Sequence, residues 1–179
     1  MIKMIIRKIR NYFFIKGNIN IGSNTRILTK ISNFGSEPYL IEIGSNCTIT
    51  SGVKFITHDA SVAVVLKYLN KDRIIENKKF EIMSRIKVHD NCMIGVNSII
   101  MPGVSIGPNS IVGSGSIVTK DVPQGVVVAG NPAKIICSID EFVDKVNSKM
   151  TLIPMESNPE NRKQAILNIL DRIDESNIN

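Results

Sequence analysis

The sequence predicts an all-β solenoid, a parallel β-helix wound from six-residue repeats, with a long inserted loop and C-terminal helices. Three observations carry this. A branched aliphatic recurs every six residues at Val88, Ile94, Ile100, Ile106, Val112 and Val118. Four positions after each of these stands a small residue: Cys92, Ser98, Val104, Ser110, Ser116 and Val122. Finally, the chain has no Trp, and aromatics are 5% of a composition that is 43% hydrophobic. Its core must therefore come from medium aliphatics, and the β-formers Ile and Val are the abundant ones.

A period of six matches neither the 3.6 of a helix nor the two of a plain amphipathic strand. It matches a short strand, a turn, and another short strand. One aliphatic per unit points to a narrow axis, and the small residue sits where bulk would strike the neighbouring coil. Gly95, Gly107 and Gly113, with the Asn of "IGSNCT" and "IGPNSI", suit corners that need turn or left-handed backbone. Three units close one triangular coil. Stacked coils then build aliphatic columns, which is how a solenoid makes a core without large rings. A β-sandwich of short strands is the competing fold, and six consecutive units in strict phase disfavour it.

The elements follow in order. Residues 1–18 carry Ile2, Ile5, Ile6, Ile9 and Phe13 on one helical face, with Lys3, Arg7 and Arg10 elsewhere. This is a helical capping segment over the open end of the coil, with attachment to a membrane surface as the alternative. The coil domain spans 19–136. Its frame appears at Ile21 and Ile27, then at Ile43, Ile49 and Phe55. An interruption at Ser32–Tyr39 and a loop insertion at 58–85 break it. A long excursion that leaves a rigid scaffold directly after a His is a candidate active-site wall. Past Asp121–Gln124, "VVVAGNPAKII" reads as an exit strand and turn. Residues 137–179 form a helical extension. One helix starts near Ser138, an N-cap with Glu141 at N3. A second carries Ala165, Ile166, Ile169, Leu170 and Ile173, and packs on the coil's outside or on a neighbouring subunit.

Charge and cysteine content narrow the function. The formal net charge is +6, but the Lys and Arg are dispersed and lack stacking aromatics, so no nucleic-acid partner is expected. A polyanionic ligand fits the excess better. Cys47, Cys92 and Cys137 form no CxxC, and three is an odd count. Neither a disulfide framework nor a metal site is expected. No segment reads as a signal peptide or a bilayer span, so the expected location is cytoplasmic.

"FITHD" (55–59), "GSGSIVTKDVP" (113–123) and "AGNPAKII" (129–136) resemble the left-handed β-helix acyltransferases of the hexapeptide-repeat family. The resemblance covers roughly 19–144 and is closest to the bacterial capsule and lipopolysaccharide sugar O-acetyltransferases. The maltose/galactoside and xenobiotic acetyltransferases are more distant. It implies a left-handed coil, against the general preference for right-handed crossovers. It also implies acetyl-CoA as acyl donor and a homotrimer with sites between subunits. The expected activity is acetyl transfer to a sugar or polysaccharide-precursor hydroxyl. Other acceptors (an antibiotic, serine or an amino sugar), a zinc hydratase and a non-catalytic scaffold are the alternatives.

Acetyl transfer to an alcohol needs a base for the hydroxyl proton, donors for the oxyanion and both substrates in reach. The chain has two His. His58, opening the insertion, resembles the family's catalytic histidine. His89 falls where relatives carry Gly and reads as a corner residue. Asp59 is a candidate to orient His58 and stabilise its imidazolium, although strand neighbours point to opposite faces. An acid from the loop or from another subunit is the alternative. For acetyl-CoA, the resemblance carries over to Gly113, Ser114 and Gly115, whose backbone would meet the pantetheine. It extends to Thr119 and Lys120 along the same wall, and to the turn of Asn131, Pro132 and Lys134, with Lys134 on phosphate. Gly95 and Val96 lie one coil earlier than Gly113 and Ser114 and belong to the same groove. Cys47 and Cys92 fall at the small inward position and are packing residues.

Overall fold

The computed structural model of the chain describes residues 18–178, apart from 77 and 148. The capping segment expected at residues 1–18 lies outside them but for Asn18. The described residues fall into two compact units that divide between Phe142 and Val143.

In the first unit, very short strands feed three parallel sheets in rotation. One sheet holds β1 (Asn20–Ile21), β3 (Ile41–Ile43), β10 (Ile86–Val88) and β13 (Ser105–Ile106). The second holds β2 (Arg26–Ile27), β4 (Thr48–Ile49), β11 (Met93–Ile94), β14 (Ile111–Val112) and β16 (Val126–Gly130), extended by β17 (Ala133–Ser138). The third holds β5 (Lys54–Phe55), β12 (Ile99–Ile100) and β15 (Ile117–Val118). This is a three-faced parallel solenoid, and the register sets its repeat. Val88 pairs with Ile106, Ile94 with Val112 and Ile100 with Val118, each 18 positions on.

The periodic aliphatics become three columns. Ile21, Ile43, Val88 and Ile106 are successive partners on the first face, with Val122 bridging to Ile106. Ile27, Ile49, Ile94, Val112 and Val128 run up the second. Phe55, Ile100 and Val118 run up the third. Apart from the terminal Ile21 and Ile27, which are partly buried, these residues are buried and belong to one cluster. The small positions are buried too, and their polar atoms are satisfied. Ser98 Oγ and Ser116 Oγ donate to Gly113 O at 3.0 and 2.6 Å, and Ser110 Oγ to Pro123 O at 2.9 Å.

Corners are made by asparagines in the left-handed region. Asn24, Asn46, Asn91 and Asn109 have φ of 55–57°. They ladder from coil to coil: Asn91 Nδ2 donates to Asn109 Oδ1 at 2.6 Å, and Asn24 Nδ2 to Asn46 Oδ1 at 3.4 Å. Asn tolerates this backbone better than other side chains except Gly.

Two coils are lengthened, and both lengthenings fall between the third face and the first. Ile21 pairs with Ile43, 22 positions on, and Ile43 with Val88, 45 positions on. In the first coil, 3₁₀ turns at Ile31–Phe34 and Pro38–Leu40 replace a strand, and the turn at Ile31–Phe34 lies against β5. Phe34 is fully buried there, its ring stacked on Phe55 with centroids 5.1 Å apart. The larger insertion, expected as a loop, is structured. It holds β6 (His58–Asp59), α1 (Val62–Tyr68), the β7–β8 hairpin (Ile74–Ile75, Lys78–Lys79) and β9 (Ile82–Met83), which pairs antiparallel with β6. Val62 and Leu66, four apart on one face of α1, are its buried residues.

The expected exit strand is an antiparallel hairpin, β16–β17, whose turn holds the cis Asn131–Pro132 bond. β17 pairs as far as Ser138, so Cys137 and Ser138 continue the coil's sheet past the expected boundary at 136. Ser138 then caps α2 (Ile139–Asn147): Glu141 N–H donates to Ser138 Oγ at 3.1 Å and Glu141 Oε2 accepts from Ser138 N–H at 2.7 Å. This is the reciprocal capping box expected at those residues. In the second unit, α3 (Pro159–Ile178) starts where Asn158 Oδ1 accepts from the N–H groups of Glu160 and Asn161.

Candidate active site

The rigid coil and its two interruptions meet at His58. β5 ends on the third face, and Thr57, buried beyond it, starts the turn outward. His58 opens β6 and pairs with Met83, so the insertion's return strand holds its backbone. Ser84 N–H donates to Thr57 O at 2.9 Å and closes the base of the excursion.

The His58 side chain is 42% exposed, and its Nδ1 lies 2.9 Å from Glu37 Oε2. The same oxygen accepts from Thr57 Oγ1 at 2.8 Å. Glu37 itself is 17% exposed. Hydrogen bonds from Ser36, then from Thr57 and His58, hold its carboxyl below the ordinary glutamate range, so it is a carboxylate at neutral pH. Nε2 of His58 makes no hydrogen bond among the described residues.

Asp59, expected beside His58, is engaged elsewhere: its Oδ1 accepts from Ser61 N–H at 2.8 Å. Hydrogen bonds from the Ser61 backbone and hydroxyl hold its carboxyl below the usual range. The two side chains follow each other on a strand and so leave it on opposite faces. The carboxylate on Nδ1 is Glu37, which the sequence did not single out. The only signal for it is that both interruptions leave the coil at one corner.

Of the residues assigned to acetyl-CoA, Gly95, Val96, Gly113, Ser114 and Gly115 stack at the corner after the second face, and Asn131, Pro132 and Lys134 follow β16 of that same face, whereas Thr119 and Lys120 follow β15 on the third face. Gly95 and Gly113 stack so closely that a Cβ on Gly95 would overlap Ser114 N and lie 2.7 Å from Gly113 C. No side chain fits there, and glycine is required. Gly115 has φ +72° and faces open space. Within the coil, Gly113 N–H donates to Val128 O at 2.8 Å and Gly115 N–H to Val96 O at 2.7 Å. The Gly113 and Gly115 amides of this triplet are thus engaged within the coil itself. Val96, Ser114, Thr119 and Lys120 are exposed, as are Asn131, Pro132 and Lys134 at the hairpin turn.

His89 lies at a first-face corner, its Nε2 3.3 Å from Ser105 Oγ. Cys47 and Cys92 are buried, and their thiols donate to His89 O and Gly107 O at 3.0 Å. Among the described residues no three of His, Cys, Asp and Glu are grouped to hold a metal ion, and no helix is long and apolar enough to cross a membrane.

Residues 85–120 match the model of the hexapeptide repeat of succinyl-transferase. The chain is 47% identical over 146 residues to protein CapG of Staphylococcus aureus, covering 81% of this chain and 80% of that one. It is 36% identical over 134 residues to the galactoside O-acetyltransferase of Escherichia coli, covering 73% of this chain and 59% of that enzyme. The crystal structure of a hexapeptide-repeat-containing acetyltransferase from Vibrio cholerae superposes with a TM-score of 0.53 at 28% identity, over 68% of this chain and 63% of that one. This chain thus spans less than two thirds of the length of either acetyltransferase.

Proposed function

Since the chain belongs to the hexapeptide-repeat acetyltransferase family, we propose that it moves an acetyl group from acetyl-CoA to a hydroxyl of a sugar or polysaccharide precursor. The observation that carries this reading is His58, held at Nδ1 and with no partner at Nε2 among the described residues, on the coil edge where the long excursion begins. The similarity to a galactoside O-acetyltransferase supports a hydroxyl acceptor.

In the proposed reaction His58 accepts the hydroxyl proton at Nε2 while that oxygen attacks the thioester carbon, and then returns it to the departing CoA sulfur. Acetyl-CoA supplies the activated acyl group. The glycine-paved corner of Gly95, Gly113 and Gly115 admits a thin chain beside the coil, and the Ser114 N–H offers it a hydrogen bond. Lys120 and Lys134 supply exposed cations for its phosphates. The active assembly is a homotrimer of left-handed coils with the groove between neighbours, located in the cytoplasm.

Thiol release from acetyl-CoA tests the reading, measured against sugars, nucleotide sugars, serine and chloramphenicol. Release dependent on a sugar supports it. Release dependent on serine or chloramphenicol alone overturns the acceptor class. A protein that binds no CoA is a scaffold. Lys134→Ala is expected to raise the KM for acetyl-CoA and leave kcat within about 3-fold, because a phosphate contact remote from the reacting carbonyl contributes uniform binding. A rise in the acceptor's KM instead would remove Lys134 from the cofactor groove.

A further inference from the structure

We infer that Glu37 is a positioning residue, fixing His58 in the tautomer that carries its proton on Nδ1 and its lone pair on Nε2. The inference rests on the reading of His58 as the base. A carboxylate only accepts hydrogen bonds, so at 2.9 Å from Glu37 Oε2 the nitrogen Nδ1 must be the donor. Thr57 Oγ1, 2.8 Å from the same oxygen, donates as well. The carboxylate thus leaves Nε2 as the basic nitrogen. It also lies beside the imidazolium that forms when Nε2 takes the acceptor's proton, which lowers the barrier to that transfer.

The fold places Glu37 by design of the chain's shorter interruption. The first coil runs 22 residues between register partners where the regular coils run 18. The extra residues let a 3₁₀ turn replace a third-face strand. Phe34 anchors this turn from inside, through its stack on Phe55. Asn33 anchors it from outside: Asn33 Nδ2 donates to Thr29 Oγ1, and Thr29 Oγ1 to Val53 O, both at 2.8 Å. Gly35, at φ +72°, turns the chain beneath Thr57, and buried Pro38 begins the second turn. Glu37 sits between these two turns, directly below the point where the next coil leaves its frame at His58.

A partly exposed ion pair adds little to stability, so the role is read in the tautomer and in kcat. The chain has two His, so long-range ¹H–¹⁵N spectra of the imidazoles resolve His58, with His89 as an internal reference. Wild-type protein is expected to show His58 as the Nδ1–H tautomer; an Nε2–H ring in the wild type overturns the inference without recourse to any variant. Glu37→Gln, whose amide can donate to Nδ1, is expected to populate the Nε2–H tautomer. It should lower kcat by about 10²-fold or more, as loss of the correct tautomer does in other His-based acyl transfers. The KM values for acetyl-CoA and acceptor should stay within about 2-fold, and Glu37→Asp should recover part of kcat. A Glu37→Gln protein with wild-type kcat and an unchanged tautomer overturns the inference, provided His58→Ala is inactive. If His58→Ala also keeps its turnover, the reading of His58 as base fails first.

Discussion

His58→Ala is expected to lower kcat for acetyl transfer by about 10²–10⁴-fold, the range over which a positioned general base accelerates proton removal, with CoA affinity unchanged. The magnitude follows from the chemistry. An alcohol is a poor nucleophile at neutral pH and must lose its proton as it attacks. Deleting the imidazole leaves that step to solvent, while the glycine corner and the hairpin turn assigned to CoA keep their residues. The residual rate measures positioning alone. Affinity for CoA is the internal control, because the glycine corner and the hairpin turn do not touch His58. His89→Ala is the second control: its ring belongs to a first-face corner beside Ser105, and turnover should not change. A His58→Ala enzyme close to wild-type turnover would assign the base elsewhere and leave the fold untouched.

The coil was legible because its determinants are periodic. Stepping by six from Val88 selects residues that stack in register 18 positions apart, Val88 on Ile106, Ile94 on Val112 and Ile100 on Val118, and the Asn of the turn strings take the left-handed corners. The capping box at Ser138 was legible because both partners lie within four residues. The interruptions were legible only as breaks. Inside the longer one, Val62 and Leu66 carried the i, i+4 signal of α1, but a two-turn helix among exposed Val64, Val65 and Tyr68 gives little contrast between faces. The carboxylate on His58 Nδ1 was not legible, for a reason of the same kind. Adjacency in sequence suggested Asp59, whereas strand geometry sends neighbours apart and the solenoid brings in a residue 21 positions upstream. That distance is set by coil length and by which corner each insertion leaves, which no local pattern encodes.

Phe34→Ala couples fold and chemistry in one substitution. Phe34 is fully buried and stacks on Phe55 at the base of the third column, where a regular coil would place a branched aliphatic. Removing a buried phenyl ring costs about 3–5 kcal/mol, from lost transfer energy and from the cavity left behind. A stacked solenoid has little means of closing that cavity, because the coils above are held in register by continuous ladders. Denaturant unfolding should therefore show the full loss. The ring also pins the 3₁₀ turn that leads to Glu37, so the protein that remains folded should lose kcat as Glu37→Gln does, with substrate KM values retained. Phe34→Leu refills most of the volume and should restore most of the stability. If it restores stability and activity together, the packing of this one turn sets both. If Phe34→Ala keeps full kcat in its folded fraction, Glu37 is held by Thr57 and Pro38 without the ring, and the link between core and base is broken.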